Sequence, residues 1–317
     1  MGQKMQLRDA ANTVESHTGV THAGMPLSAN RPPAPDLEPW VGRVIASKLE
    51  NAGSLSIDCG ICSDLAFARV VLRGQWDVKT IDGMAHFKDQ ALLYGPHTQN
   101  MRLTCTGPVH AVGLGFRPGA ITALLGRDAD PLVDRMIATD PFGLAIGDVQ
   151  QSYRPDTDPE QWLQVLEARM RDFIERTKPA LPDPIATAFE RASFDDPNIA
   201  PCDFAEEQGI SQRQLERIVK RDFGMPPKMV LRRARALDLA AQLCGVADGE
   251  EESELLMRYF DQSHLIRDFK AFFETTPKAF NSEPRTLLRI SLETRQARRL
   301  AELNRIGPGE IPPWVAS

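Results

Sequence analysis

No apolar run in this chain reaches the roughly 18 to 20 residues that a membrane-spanning helix needs, so no membrane association is expected. The sequence opens without a basic segment followed by an apolar stretch, so no secretory signal is expected and the cytoplasm is the expected location. It contains no G-x-S-x-G motif, no P-loop and no Rossmann glycine pattern. The 317 residues are 42% hydrophobic and 25% charged, which is typical of a globular protein with room for two domains.

Cysteine is scarce, and its five scattered positions favour reduced thiols over a disulfide framework. Cys59-Gly60-Ile61-Cys62 has the C-x-x-C spacing found in redox and metal sites. No second pair completes a zinc site, and the motif does not open a clear helix after a strand. Packing cysteines are therefore the favoured interpretation, and a redox or metal role is the alternative.

The overall charge of −6 argues against a uniformly basic nucleic-acid-binding protein, so a DNA-binding surface has to be local. Between Gln208 and Gly245, eight basic residues face three acidic ones, a net charge of +5. A solvated helix surface is the alternative interpretation of such a stretch. The spacing of these residues, described below, favours DNA binding.

The N-terminal half changes texture along its length. Residues 1–38, rich in small polar residues and proline, are expected to form a flexible extension. Between about 40 and 117, short apolar runs bounded by turn residues predict an antiparallel β barrel or sandwich. These runs cover residues 65–72, 91–94 and 109–116. Helical patterns follow at 120–125, 132–137 and 159–178.

Prolines break the last of these helices and predict a linker over residues 179–184. A wholly helical region is expected from 185 to 285, and a helical tail from 286 to 317. The tail contains Arg295, Arg298 and Arg299, which are expected to lie on a solvated helix face. Contact with the DNA backbone is the alternative role for these arginines.

Residues 204–223 have the pattern of two helices joined by a tight turn. Gly209 suits the left-handed residue of the turn, and Ser211 can cap a second helix from Gln212 to about Phe223. Apolar residues recur every four positions in that helix, which leaves polar and basic side chains on its outer face. Arginine can donate two hydrogen bonds to guanine, and the later basic residues suit phosphates. The residues expected to contact DNA are Gln212, Arg213, Glu216, Arg217, Lys220 and Arg221.

A helix of about 18 residues, about 27 Å long, is predicted from Pro226 to Leu243. Beyond it, Asp261 can cap another helix whose buried face includes Leu265 and Phe269 and whose pattern stops at Pro277. The long helix is compatible with the separation of about 34 Å between successive major grooves. The residues of the last helix expected to contact DNA are Gln262, Ser263, His264, Arg267 and Lys270.

The order F-A-x-x-x-G-I-S, recognition helix, D-F-G-M-P-P, long helix and Y-F-D-Q-S-H closely resembles the DNA-binding domain of AraC/XylS-type transcription regulators. The resemblance covers about 100 residues and implies two helix-turn-helix units that contact bases through exposed positions early in each recognition helix. One departure is the acidic stretch 248–259, where Arg258 replaces a glycine usual in the family. We therefore expect the first recognition helix to contribute more of the DNA affinity than the second.

Residues 93–101 and 106–119 resemble the cupin-like domain attached to some AraC-type regulators, which implies a small β barrel that senses a signal or dimerises. A metal-dependent cupin enzyme would need a His-x-His pair, whereas His86, His97 and His110 are far apart in sequence. No metal, cofactor or catalytic residue is therefore expected. Arg117 is expected to stabilise a turn, and contact with an anionic effector is the alternative.

The expected fold is α+β, with a cupin-like β barrel and following helices at 39–178, and an all-α domain of two helix-turn-helix units joined by a long helix at 185–285. The expected function is a sequence-specific DNA-binding transcription regulator, an activator or a repressor, controlled by a small-molecule effector or by dimerisation through its N-terminal domain. Its expected partner is double-stranded promoter DNA. RNA polymerase, a small-molecule effector and a second copy of the chain are further candidate partners. The alternatives are a cupin-type enzyme or a thiol redox sensor fused to a DNA-binding module.

Overall fold

The computed structural model describes residues 29–49, 56–142, 152–154, 156–247, 262–280, 286–307, 310 and 312–316, except for the side chains of 49, 56–59, 262–265, 286, 315 and 316. Its N-terminal part is one antiparallel sheet. The strands are β1 (Ala29–Arg31), β2 (Val41–Leu49), β3 (Ser56–Ile61), β4 (Phe67–Thr80), β5 (Gly83–Tyr94), β6 (Met101–Phe116) and β7 (Met136–Ala138). The strands predicted from the three apolar runs are confirmed within β4, β5 and β6.

The sheet follows the order β1-β2-β6-β4-β5-β7, and β3 pairs with the first part of β6 beside β2. The β-rich N-terminal domain is thus confirmed, but the closed barrel predicted from the sequence is wrong for the described strands. The path ends at β1 and at β7, each three residues long. Such short edge strands do not supply the ladder that closure of a sheet on itself requires.

Side chains alternate between the two faces of the sheet, and both faces are buried. On β2, Val44 and Ala46 belong to one apolar cluster, whereas Ile45 belongs to the other. The first cluster packs against α1 (Ala120–Leu125) and α2 (Pro159–Thr177), two helices at predicted positions. The predicted apolar stripe of α2 is buried in that cluster, and it consists of Trp162, Leu166, Met170 and Phe173.

The chain preceding β2 is part of the fold from residue 29 onward, so the flexible extension predicted for residues 1–38 extends too far. Arg31 donates hydrogen bonds to Glu160 and to Glu167 on α2 at 2.7 to 3.1 Å. Leu37, in a 3-10 turn at Pro35–Leu37, is buried. This segment is thus held against the sheet domain by the two carboxylates that pair with Arg31 and by the burial of Leu37. Residues 1–28 lie outside the described part of the chain.

The helix predicted at 132–137 is also wrong. This segment is a 3-10 turn at Asp130–Leu132 followed by β7. Asp134 has a φ of 54°, a left-handed conformation that no α-helix contains. The backbone of β7 pairs with Leu92, Leu93 and Tyr94 of β5, so a distant strand overrides the local helical pattern.

The C-terminal half is helical. Its helices are α3 (Pro184–Asp195), α4 (Pro201–Glu207), α5 (Gln212–Phe223), α6 (Pro227–Leu243), α7 (Gln262–Phe273), α8 (Pro277–Phe280), α9 (Thr286–Glu302) and α10 (Pro313–Ala316). The predicted bounds of α5 and α6 are confirmed to within a residue. The acidic stretch 248–259 and the predicted cap Asp261 lie outside the described residues. No helix within the described ranges is both long and apolar enough to cross a membrane.

The arginines of α9 are buried, which corrects the solvated tail helix predicted from the sequence. Arg295, Arg298 and Arg299 are each at most 3% exposed. Arg298 donates to Asp64 at 2.7 Å, and Arg299 donates to the carbonyl of Phe194 at 2.9 Å. These bonds tie α9 to the N-terminal sheet domain and to α3.

A buried ionic cluster, consisting of Asp64, Glu190, Asp238, Arg233, Arg295 and Arg298, lies where the sheet domain meets the helical half. Asp64 accepts from Arg298, and its carboxylate lies 3.4 Å from the Nε atom of Arg295. Burial raises the pKa of Asp64, but the arginines outweigh burial, so the pKa lies below its usual value. The cluster therefore holds an ionised Asp64 at the junction.

Candidate DNA-binding surface

The turn between α4 and α5 forms as its local sequence predicts. Gly209 has a φ of 65°, the left-handed conformation that glycine adopts without a Cβ clash. The Ser211 hydroxyl accepts from the backbone N–H of Gln214, and the Gln214 side chain accepts from the backbone N–H of Ser211. This reciprocal pair is a capping box, which satisfies two free N–H groups. The start of α5 is thereby fixed.

Apolar residues hold the inner side of α5. Leu215, Val219 and Phe223 are buried, and the Phe223 ring packs edge-on against Phe189 with centroids 5.7 Å apart. This packing against α3 and α4 leaves only one side of α5 free for a ligand. The predicted buried face is thus confirmed.

The outer face of α5 carries the four residues that the sequence predicted there, and all are exposed: Gln212, Arg213, Glu216 and Arg217. The Gln212 amide lies 3.4 Å from the Glu216 carboxylate. Arg213 and Arg217 form no ion pair within the described part of the chain, so their guanidinium groups remain available to an external acceptor. One turn of helix separates them.

The last turn of α5 has two basic residues, of which one faces solvent and the other bonds to carboxylates of the protein. Lys220 is exposed and lies 3.8 Å from Asp130, a distance at which an exposed pair contributes little. Arg221 instead donates two hydrogen bonds to Asp222 and one to Asp183 at 2.6 to 2.9 Å. The Nε and Nη2 groups of Arg221 thus already donate inside the protein, which weighs against the phosphate-binding role predicted for this residue.

The basic residues of α6 are engaged in the same way. Arg232 donates to Asp268 of α7 at 2.7 and 2.9 Å, and Arg235 lies 3.6 Å from the same carboxylate. Arg233 is fully buried and donates to the backbone carbonyls of His97 and Asp64. Several of the arginines that give this region its net charge of +5 thus bond to other parts of the protein and position its helices. The sequence signal for these contacts would have been Asp268, an acidic residue in an otherwise basic recognition helix.

The second candidate recognition helix, α7, presents Arg267 and Lys270 on its exposed side. Its buried side is an aromatic core in which Phe269, Phe273 and Phe280 lie with ring centroids 4.7 to 5.2 Å apart. The helix ends at Phe273, and Glu274 follows with a φ of 57°. The side chains of Gln262, Ser263 and His264 lie outside the description.

A second feature is a cavity between the second face of the sheet and α9. Apolar side chains dominate its lining, with Ile45, Phe67 and Leu103 from the sheet and Leu287 and Ile290 from α9. Its volume is about 40 Å³, which is room for about three water molecules.

Among the residues that the structure describes, no hydrogen-bond partner exists for two polar groups of this lining: the Nε atom of Arg69 and the indole N–H of Trp76. The Arg69 guanidinium lies over the rings of Phe67 and Trp76 at 5.7 Å. A donor left unpaired in an apolar lining favours a ligand that brings an acceptor.

The remaining residues singled out in the sequence have structural roles. Cys62 is buried, and burial raises the pKa of its thiol to about 12, the behaviour of an inert cysteine. Arg117 donates to the Glu38 carbonyl and pairs with Glu302, so it stabilises the turn after β6 as expected. Within the described ranges, no three side chains of the metal-ligating types are grouped closely enough to bind an ion.

Residues 204–283 match the family model described as a helix-turn-helix domain, and residues 29–138 match a domain of unknown function, DUF6597. The C-terminal half of the chain therefore contains a helix-turn-helix domain. No curated protein sequence matches the chain.

Several solved structures are similar to this chain at low identity, with TM-scores below 0.5. Wild-type ToxT from Vibrio cholerae with bound unsaturated fatty acid is 9% identical, covering 75% of this chain and 94% of that one with a TM-score of 0.43. ToxT from Vibrio cholerae O395 is 8% identical, covering 81% and 97% with a TM-score of 0.42. The AraC-like transcriptional activator CuxR is 12% identical, covering 81% and 92% with a TM-score of 0.24.

Proposed function

We propose that this chain is an AraC-type transcription regulator, that it reads promoter DNA mainly through α5, and that a small molecule controls it through the sheet domain. The observation that carries the first part is the pair of exposed guanidinium groups, Arg213 and Arg217, on a capped and firmly packed helix. Each can donate two hydrogen bonds to a guanine edge in the major groove. Lys220, one turn further along, contacts a phosphate.

The second recognition helix contributes less in this proposal. Arg267 and Lys270 of α7 are exposed, and they reach the DNA together with Gln262, Ser263 and His264. The acidic stretch 248–259 precedes this unit and repels nearby phosphates. The α6 helix, about 25 Å long, sets the spacing between the two units. We further propose that residues 39–178, together with the ordered segment from residue 29, form the sensing domain, 179–184 the linker and 185–285 the DNA-binding domain. Helix α9, within the tail predicted at 286–317, packs between these domains.

Alanine substitution in each recognition helix tests the ranking. We expect Arg217→Ala to weaken binding to a promoter fragment by about 1–3 kcal/mol, since it removes a base contact, and Arg267→Ala to weaken it less. The measurement is a fluorescence-anisotropy titration at one fixed salt concentration, after footprinting has located the operator. Arg102→Ala, which removes an exposed arginine from the sheet domain, is the matched control and should leave the affinity unchanged. Equal losses for the two helix variants would contradict the ranking.

The proposed effector is an apolar molecule with an acidic end group. The apolar side chains that line the cavity suit the chemistry of its body, while Arg69 and the indole N–H of Trp76 supply donors for a carboxylate. The ToxT structure with bound unsaturated fatty acid motivates oleate as the first probe. RNA polymerase and a second copy of the chain remain further proposed partners at the promoter.

Calorimetry with oleate and with the uncharged alcohol of the same chain tests the effector class. We expect the acid to bind more tightly than the alcohol. Arg69→Met keeps the apolar length of the side chain and should abolish that preference, because the donor is lost. Equal binding of acid and alcohol to the unmodified protein would contradict a carboxylate partner for Arg69.

A further inference from the structure

Helix α9 lies outside both segments that match family models, 29–138 and 204–283, yet it is one of the most deeply buried helices described. Its own apolar residues and arginines are buried on more than one side of the helix, and the arginines pair with other elements. A helix that is buried on several faces belongs to a core and is not a surface appendage. Its position between the two halves of the molecule indicates what it does.

One face of α9 fills the cavity on the sheet. Leu287, Ile290, Ser291 and Thr294 recur with the spacing of a single helix face, and all four line the cavity. Thr294 also accepts a hydrogen bond from Asn30 of β1 at 2.8 Å. Only about 40 Å³ of space remains, whereas pockets that hold small-molecule ligands have about 300–1,000 Å³. A ligand of that size therefore cannot share this face of the sheet with α9.

A second face of α9 holds the DNA-binding domain. Leu288 and Leu292 belong to the same apolar cluster as Phe269 and Phe272 of α7. Arg295 donates to Asp238 of α6. Arg299 donates to the Phe194 carbonyl of α3, at the other helix-turn-helix unit. Movement of α9 thus disturbs contacts to both units.

Direct contacts also dock the helical half on the sheet domain. The backbone N–H of Asn100 donates to the carbonyl of Phe272 in α7 at 2.6 Å. Arg233 of α6 donates to the His97 carbonyl at 3.1 Å. On the first unit, the Thr122 hydroxyl donates to Asp222 of α5 at 2.9 Å. These bonds join the helical half to the sheet domain, and α9 packs against both of them.

We propose that α9 is an internal occupant of the effector site, so that effector and α9 compete for the same face of the sheet. Binding of the effector displaces the Leu287–Thr294 face of α9, and the second face then releases the docked helix-turn-helix units. This inference rests on the effector site proposed above and adds its mechanism. Helix α9 is thus the element through which effector binding at the cavity controls the DNA-binding domain.

Two matched alanine substitutions on α9 distinguish competition for the cavity from a general loss of packing around the helix. Ile290→Ala removes a side chain that faces the cavity, and Leu292→Ala removes one of equal size that faces the α6–α7 core. The probes are oleate and 1-anilinonaphthalene-8-sulfonate, an apolar anion that fluoresces in apolar sites. We expect Ile290→Ala to bind both probes roughly tenfold more tightly than the unmodified protein, and Leu292→Ala to bind them unchanged.

Hydrogen exchange on the full chain provides the second measurement. With either probe bound, we expect faster exchange in peptides from α9 and in the peptide containing Asn100, whose N–H reports on docking to α7. A probe that binds while exchange in α9 stays the same or slows overturns the competition and leaves the effector site standing. Equal tightening in Ile290→Ala and Leu292→Ala also overturns it. Absence of binding even to Ile290→Ala overturns the effector site together with this inference.

Discussion

The buried ionic cluster allows the junction between the two halves to be tested with one substitution. Asp64→Asn keeps the size of the side chain but removes the charge that Arg298 and Arg295 share. Removing one partner of a buried pair typically costs 3–5 kcal/mol, because the other charge is left uncompensated. The Asp64 side chain is 16% exposed, so we expect the lower end of that range, about 3 kcal/mol of unfolding free energy.

Thermal unfolding followed by circular dichroism measures this loss. An unfolding entropy of about 2 cal/mol/K per residue translates about 3 kcal/mol into a fall in Tm of about 4 to 5 °C. Asp82→Asn is the matched control, because Asp82 forms an exposed pair with Arg135 at 2.8 Å. Exposed pairs contribute about 0–1 kcal/mol, so the control should shift Tm by at most about 1.5 °C.

Two outcomes would refute this reasoning. A Tm change for Asp64→Asn no larger than that of the control would show that the cluster is not held at the junction. The second concerns pH. Since the pKa of Asp64 is lowered in the folded protein, its stabilisation is present above about pH 4 and is lost as the pH falls further. If the substituted protein showed the same acid-induced loss as the unmodified one, Asp64 would not be the group responsible.

Three further predictions concern the cap, the DNA backbone and a buried histidine. Ser211→Ala removes the capping box of α5, so denaturant unfolding should show a loss of about 1 kcal/mol and DNA binding should weaken with it; unchanged stability would show that the cap is dispensable. Lys220→Ala should lower the slope of log affinity against log salt by about 1 while the preferred DNA sequence stays the same, and an altered preference would contradict a phosphate contact. Burial lowers the pKa of His97 to about 4, so its contribution is complete above about pH 6.5 and is lost as the pH falls towards 4, by up to about 3 kcal/mol. His97→Gln should flatten that part of the stability curve in urea titrations, and an unchanged curve would assign the effect to another group.

The helix-turn-helix unit was predictable because its signals are local. Gly209 has to adopt a left-handed turn, Ser211 has to cap a helix, and apolar residues four apart define one buried face. Each of these requirements acts within a few residues along the chain. The ends of α5 and the exposure of Arg213 and Arg217 follow from them without knowledge of the rest of the fold.

The roles of the buried arginines were not predictable in the same way, because their partners are distant in sequence. Arg298 pairs with Asp64 and Arg295 with Asp238, separated by 234 and 57 residues. An arginine on a helix favours solvent when only its neighbours are considered, so α9 was predicted to be a solvated tail. A helix with leucines on several sides was the local signal of its burial, and the arginines obscured it.

Errors in the sheet domain have a similar origin. The segment after Asp130 has an apolar pattern compatible with a helix, but its backbone pairs with β5 and forms β7. Whether a sheet closes into a barrel depends on the lengths and pairing of its edge strands, which apolar runs do not encode. Local pattern therefore predicted that strands form here but not how the sheet ends.

The most direct test of DNA reading by α5 is a selection from random double-stranded oligonucleotides at low ionic strength, run in parallel on the unmodified protein and on an Arg213→Ala/Arg217→Ala variant. We expect the unmodified protein to enrich a defined sequence motif and the variant to lose the guanine positions of that motif while it keeps weak binding. Enrichment of the same motif by both proteins, or of no motif by either, would contradict the role assigned to α5.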